Sequence, residues 1–104
     1  MTFTIHDEAG ARVVTLAGQF TFDATDDFRA VIEELEGGRV SRCVLEMSGL
    51  EFIDSAGLGL LVLANAAAGR KGIALSMRHP RGQVREMIEI AEFQTIIPCE
   101  FEAA

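Results

Sequence analysis

Ser55 stands between Asp54 and a pair of glycines, Gly57 and Gly59, in the run Phe52-Ile53-Asp54-Ser55-Ala56-Gly57-Leu58-Gly59-Leu60-Leu61. An apolar strand-like run, Cys43 to Met47, precedes it, and an apolar, alanine-rich run, Leu58 to Ala68, follows. The serine therefore falls where a strand hands over to a helix. The first turn of a helix carries unpaired N–H groups and a partial positive charge, so it favours an anion. A serine there can cap the helix as a hydroxyl or carry a phosphate, which adds about −1.5 to −2 charges. One side chain with two charge states in one fold is what a switch needs.

Each residue of this run has more than one reading. Ser55 is either a plain N-cap or a phosphoacceptor that also caps, and the flanking Asp54, Gly57 and Gly59 favour the second. Asp54 either caps the helix or orients the serine hydroxyl or a kinase's ATP-bound metal. Each glycine inside a helix costs about 1 kcal/mol against alanine. Gly57 and Gly59 therefore point to close backbone approach by a partner or by the loop. No Gly-Lys-Ser/Thr follows, so the run is not a P-loop. A hydrolytic nucleophile elbow requires Gly-x-Ser-x-Gly, but Ile53 occupies the first position. With neither His6 nor His79 in a catalytic or metal-ligating spacing, the chain reads as a non-enzyme with no metal or cofactor.

The elements that must hold Ser55 follow from periodicity. Thr2 to His6 and Arg12 to Ala17 alternate and are joined by the turn Asp7 to Ala11, which predicts an antiparallel hairpin. After Gly18 to Phe22, Asp23 is the expected N-cap of a first helix, whose stripe is Phe28, Val31, Ile32 and Leu35. Gly37-Gly38 ends it. Arg42 to Met47 forms strand three and Ser48 to Ile53 a loop. Helix two runs from about Ser55 to Ala68, with Gly69 near its C-cap and Arg70 and Lys71 at its negative end. Ile73 to Arg78 is strand four, Pro80 opens helix three with the stripe Val84, Met87, Ile88 and Ala91, and Thr95 to Ile97 is a last strand stopped by Pro98. The expected fold is α/β: one domain over residues 1–104 with a mixed sheet and an opening hairpin. The strands are apolar mainly at alternate positions, which places the helices mainly on one face.

Helix two is apolar nearly all round, so part of it is left for neighbouring helices or for a partner. Leu58 and Val62, close to Ser55, are the candidate partner contacts on it, together with Asp23. The net charge of −7 on 104 residues argues against nucleic acid and against an anionic membrane surface. It suits a basic or mixed-charge protein. Hydrophobic residues make up 49%, enough for a core without a staple. No signal peptide or spanning segment is visible, and Cys43 and Cys99 form no motif, so the cytoplasm is the expected compartment.

The sequence resembles the STAS domain family, the fold of bacterial anti-sigma-factor antagonists. The resemblance rests on Gly18 to Phe22, the strand Val44 to Met47, the core Asp54-Ser55-x-Gly57-x-Gly59, and Pro80 with Val84 to Met87 through Phe93. It implies that Ser55 is phosphorylated by an anti-sigma serine kinase and released by a serine phosphatase. It also implies that the unphosphorylated form binds the kinase. The chain itself is expected to be a monomer. The family also includes STAS subunits of membrane lipid ABC transporters, which bind an ATPase subunit without phosphoregulation. Members often carry a final helix, for which Pro98 to Ala104 is too short.

Overall fold

Alternating apolar residues build a five-stranded sheet. In the computed structural model, which describes residues 1–102, strands β1 (Thr2–Glu8), β2 (Ala11–Phe20), β3 (Arg42–Ile53), β4 (Ala74–Arg78) and β5 (Cys99–Glu100) lie side by side in chain order. β1 and β2 form the expected antiparallel hairpin, and the remaining neighbours are parallel. Helices α1 (Thr25–Gly37), α2 (Ser55–Lys71) and α3 (Gly82–Ile90) make the crossovers. Their buried residues Phe28, Val31, Leu35, Leu61, Ala64, Val84 and Ile88 join Val14, Leu16, Cys43, Leu45, Met47, Leu75 and Met77 in one core. The strand residues between these point the other way. There Ala11, Val13 and Val44 make only a small cluster of their own, so the helices cover one face, as the alternation predicts.

Several boundaries differ from expectation. Residues 48–53 are strand rather than loop: β3 continues to Ile53 because β2 also continues, pairing Gly18 with Leu50 and Phe20 with Ile53 across two register shifts. Asp23 does not cap α1. It sits in a 3-10 turn, Phe22–Ala24, and the helix begins at Thr25. α2 runs about one turn further than expected, to Lys71, and is capped by Gly72, whose left-handed φ of 68° glycine adopts freely, so Gly69 is interior. Pro80 lies outside α3, which starts at Gly82, and Ala91 is an exposed C-cap rather than core. Residues 93–95 form a 3-10 turn, and the last strand comes after Pro98, because β4 needs its partners at Cys99 and Glu100. Pro98 to Glu102 accordingly carries a short strand and no helix. Ala103 and Ala104 lie outside the described residues.

Candidate functional site

Three chain segments converge at the carboxyl end of the parallel strands, where open α/β sheets place their sites. The end of β2 pairs with the end of β3, and the Asp54 N–H donates to the Phe20 carbonyl at 3.3 Å. Asp54 keeps an extended backbone (φ −117°, ψ −173°), while Ser55 is already helical. The Asp54 carboxylate accepts the Gly57 N–H at 3.0 Å, and its carbonyl accepts the Leu58 N–H at 3.0 Å. The cap of α2 is therefore Asp54 and not Ser55. A carboxylate one residue outside the helix can reach the third N–H and meets the positive end of the dipole, which suits it to the task.

That arrangement leaves Ser55 exposed at the first helical position. Gly57 and Gly59 then separate by role. Gly57 is buried, and a Cβ on it would collide with the Phe20 carbonyl oxygen and with Ile53 Cγ1. It lets α2 press against the β2 end. Gly59 is exposed, with nothing near the place its Cβ would occupy. No contact within the described residues demands a glycine there.

The outward face of α2 continues from Ser55 through Gly59, Val62, Leu63 and Ala66, all exposed. Val62 is 46% and Leu63 56% accessible. Leu58 is different: it is half-buried and packs against the core, so it forms the shoulder of this face rather than its crest. Asp23 is exposed on the neighbouring 3-10 turn, beside Phe22, which is 74% accessible. Phe52, 39% accessible, ends the approach to Asp54. Leu63, Phe22 and Phe52 escaped the sequence reading. Phe22 could have been found from its polar neighbours Thr21 and Asp23, which argue against a core position.

A sequence model described as "Mlab, STAS domain" matches residues 3–98. The chain belongs to the STAS domain family. A STAS-domain containing protein of Pseudomonas aeruginosa (strain UCBPP-PA14) is 28% identical over 83 residues, covering 80% of this chain and 81% of that protein. Among solved structures, an anti-sigma factor antagonist from Mycobacterium paratuberculosis superposes with a TM-score of 0.82 at 21% identity, over 95% of this chain and 84% of that one. The Bacillus cell fate determinant SpoIIAA in its phosphorylated form gives 0.69 at 19% identity, over 97% and 93%. These likenesses establish the STAS fold.

One more contact fixes the Ser55 turn of this STAS domain. The side chain of Gln83, in the first turn of α3, accepts the Ile53 N–H at 2.9 Å and donates to the Ile53 carbonyl at 2.7 Å. No sequence signal marked this glutamine.

The helix-free face of the STAS sheet carries charges in pairs. Arg78 on β4 reaches Glu8 on β1 through two bonds, at 3.2 and 3.3 Å, and a Glu46 carboxylate oxygen lies within hydrogen-bond distance of His79 Nδ1, at 2.9 Å. Arg78 on this face, and Arg12 beside Gly38 on the opposite side of the sheet, hold the Glu8 and Asp7 carboxyls below the usual carboxylate range. His79 is thus a partly buried hydrogen-bond partner of Glu46 rather than a plain surface residue. Burial pushes the thiols of Cys43 and Cys99 up to about 11. Few thiolates form at neutral pH at that value. Among the described residues no cluster of metal-ligating side chains occurs, and no helix is long and apolar enough to cross a membrane.

Proposed function

We propose that this STAS domain is an anti-sigma-factor antagonist in a partner-switching pathway. In its unphosphorylated form it binds an anti-sigma serine kinase; phosphorylation of Ser55 releases it, and a serine phosphatase restores it. One observation carries the reading: Asp54 does the capping, so the exposed Ser55 hydroxyl stands at the head of the apolar outward face of α2 with no capping duty. Modification there changes a contact surface without dismantling the helix.

The sign of the switch follows from solvation. A neutral hydroxyl is readily buried under a partner once it finds a single hydrogen bond. A phosphate dianion against the same surface must be stripped of water, which is costly without a paired cation. In the free protein the dianion meets the helix N-terminus, which favours it, and the Asp54 carboxylate, which opposes it. The fold therefore changes little while the interface changes sign. The net charge of −7 favours a basic or mixed-charge partner surface. The chain acts as a cytoplasmic monomer in this scheme, with Asp23, Leu58 and Val62 among its contacts.

Affinity capture with wild-type, Ser55→Ala and Ser55→Asp proteins tests the reading. The first two should retain one kinase-like partner and the third should lose it by tenfold or more, equivalent to about 1.4 kcal/mol. Peptide mapping after incubation with that partner and ATP should place one phosphate on Ser55. Phosphate on Ser41, Ser48 or Thr21 would overturn the assignment. Equal capture by all three proteins, with an ATPase subunit as the bound protein, would replace the switch by a constitutive transporter subunit.

A further inference from the structure

β3 outruns its neighbour on one side. β4 pairs with β3 only from Arg42↔Ala74 to Glu46↔Arg78, whereas β2 stays paired with β3 as far as Ile53. The last residues of β3 therefore have a strand on one edge and none on the other. Ile53 is fully buried, so its N–H and carbonyl have no water to turn to. The Gln83 carboxamide supplies the absent partner. Like a peptide unit it offers one carbonyl and one N–H, and both go to the same residue, at 2.9 and 2.7 Å. Ile53 is thus held by a backbone strand on one side and by a side-chain amide imitating a strand on the other.

The consequence runs along the chain. Asp54 follows Ile53 directly and is itself tied to Phe20, and its carboxylate sets the start of α2. Ser55 is two peptide units from the clamped residue. α3 has no side-chain cap at Arg81, and the bonds from Gln83 tie its first turn to the end of β3. We infer that Gln83 is a positioning residue for Ser55: it holds the β3–α2 turn in the one conformation in which the hydroxyl is presented to the enzymes that add and remove phosphate. This rests on the switch reading above, but the clamp can be tested apart from it. Loss of the clamp leaves the partner contacts along α2 in place while the acceptor hydroxyl samples unproductive orientations, so turnover suffers more than binding.

The test uses Gln83→Met, which keeps the length of the side chain but removes both bonds, and Gln83→Glu, which keeps the acceptor and loses the donor until it is protonated. Amide hydrogen exchange by NMR reads the clamp without any partner. In Gln83→Met the protection of the Ile53 and Gly57 amides should fall at least tenfold, while Leu45 and Val31 keep theirs. In Gln83→Glu the carboxylate at pH 7 faces the Ile53 carbonyl and is repelled by it, so the same loss should appear, and it should recover at pH 4 relative to wild type at each pH, because a protonated carboxyl donates to that carbonyl as the amide did. With the kinase identified by the capture experiment, the kcat of phosphate transfer to Gln83→Met should fall fivefold or more with KM within twofold. Unchanged protection in both variants would overturn the clamp, whatever the kinase does. Lost protection with unchanged kcat would overturn the positioning role. If Gln83→Met does not fold, the pH 7 and pH 4 behaviour of Gln83→Glu decides by the same criteria. Failure to find any kinase would remove the switch reading and leave the clamp judged on exchange alone.

Discussion

Gly57 lies so close to the carbonyl oxygen of Phe20 that a methyl group between them has no room. Two glycines that look alike in the sequence therefore predict opposite results. Gly57→Ala must push α2 away from β2 and should cost about 1–3 kcal/mol, in line with overpacking. Gly59→Ala enters open space in a helix and should stabilise by roughly 0.5–1 kcal/mol. If a partner lies along α2, Gly59→Ala should nonetheless weaken capture. Urea melts of the two variants, with a pull-down of the second, check this.

The cap makes a second contrast. Asp54→Ala removes the acceptor of the Gly57 N–H and should lower stability by about 1 kcal/mol. Ser55→Ala removes an exposed hydroxyl with no capping duty and should stay within about 0.5 kcal/mol of wild type. Ser55→Asp should melt within a few degrees of wild type. Thermal denaturation of the three proteins reads all of these. A larger loss for Ser55→Ala than for Asp54→Ala would contradict the geometry.

Val62 and Leu58 separate surface from core. Val62→Asp sits on the exposed crest of α2 and should leave circular dichroism and melting nearly unchanged while reducing partner capture at least tenfold. Leu58→Asp puts a charge on a half-buried side chain packed against the core and should destabilise as well as block binding. Equal loss of fold in both would place Val62 in the core.

Acid should act through the two carboxylates at the end of β1. The carboxyls of Asp7 and Glu8 are held low by Arg12 and Arg78 in the fold. A depressed folded value means that the stabilisation is present above the ordinary carboxylate range and is lost as pH falls through and below about 4. Arg78→Leu should flatten this part of the stability–pH curve, with the difference from wild type largest at pH 7 and vanishing at low pH, and small throughout, since the pair is exposed and surface pairs contribute little. Denaturant midpoints between about pH 2.5 and 7 give the comparison.

What the sequence disclosed follows from which forces act locally. The alternation in Phe3 and Ile5, or in Cys43, Leu45 and Met47, reports burial on one face directly, so the hairpin, the sheet and the side taken by the helices were legible. So was the Asp54–Ser55 junction, where strand and helix periods meet. The division of labour within it was not. Asp54 and Ser55 both cap well, and only the extended backbone at Asp54 decides between them. The end of β3 was hidden because Ser48, Gly49 and Glu51 are poor strand formers, held in the sheet by β2 rather than by propensity. Gln83 was invisible because its partner is the backbone of Ile53, thirty positions away. Backbone partners leave no mark in residue type.

The strand order has a bearing on how the molecule is assembled. Because β1 to β5 are laid down in chain order, each new strand joins the growing edge and none has to be inserted between two already paired. A chain emerging from the ribosome can therefore build its sheet in the order of synthesis. The turn that bears Ser55 is the exception to this economy. Phe20, Ile53, Asp54 and Gly57 are in place once α2 has formed, but the carboxamide that closes the turn arrives only with α3. The switch residue is made early and set late, so a half-made domain displays its serine before holding it in the working position.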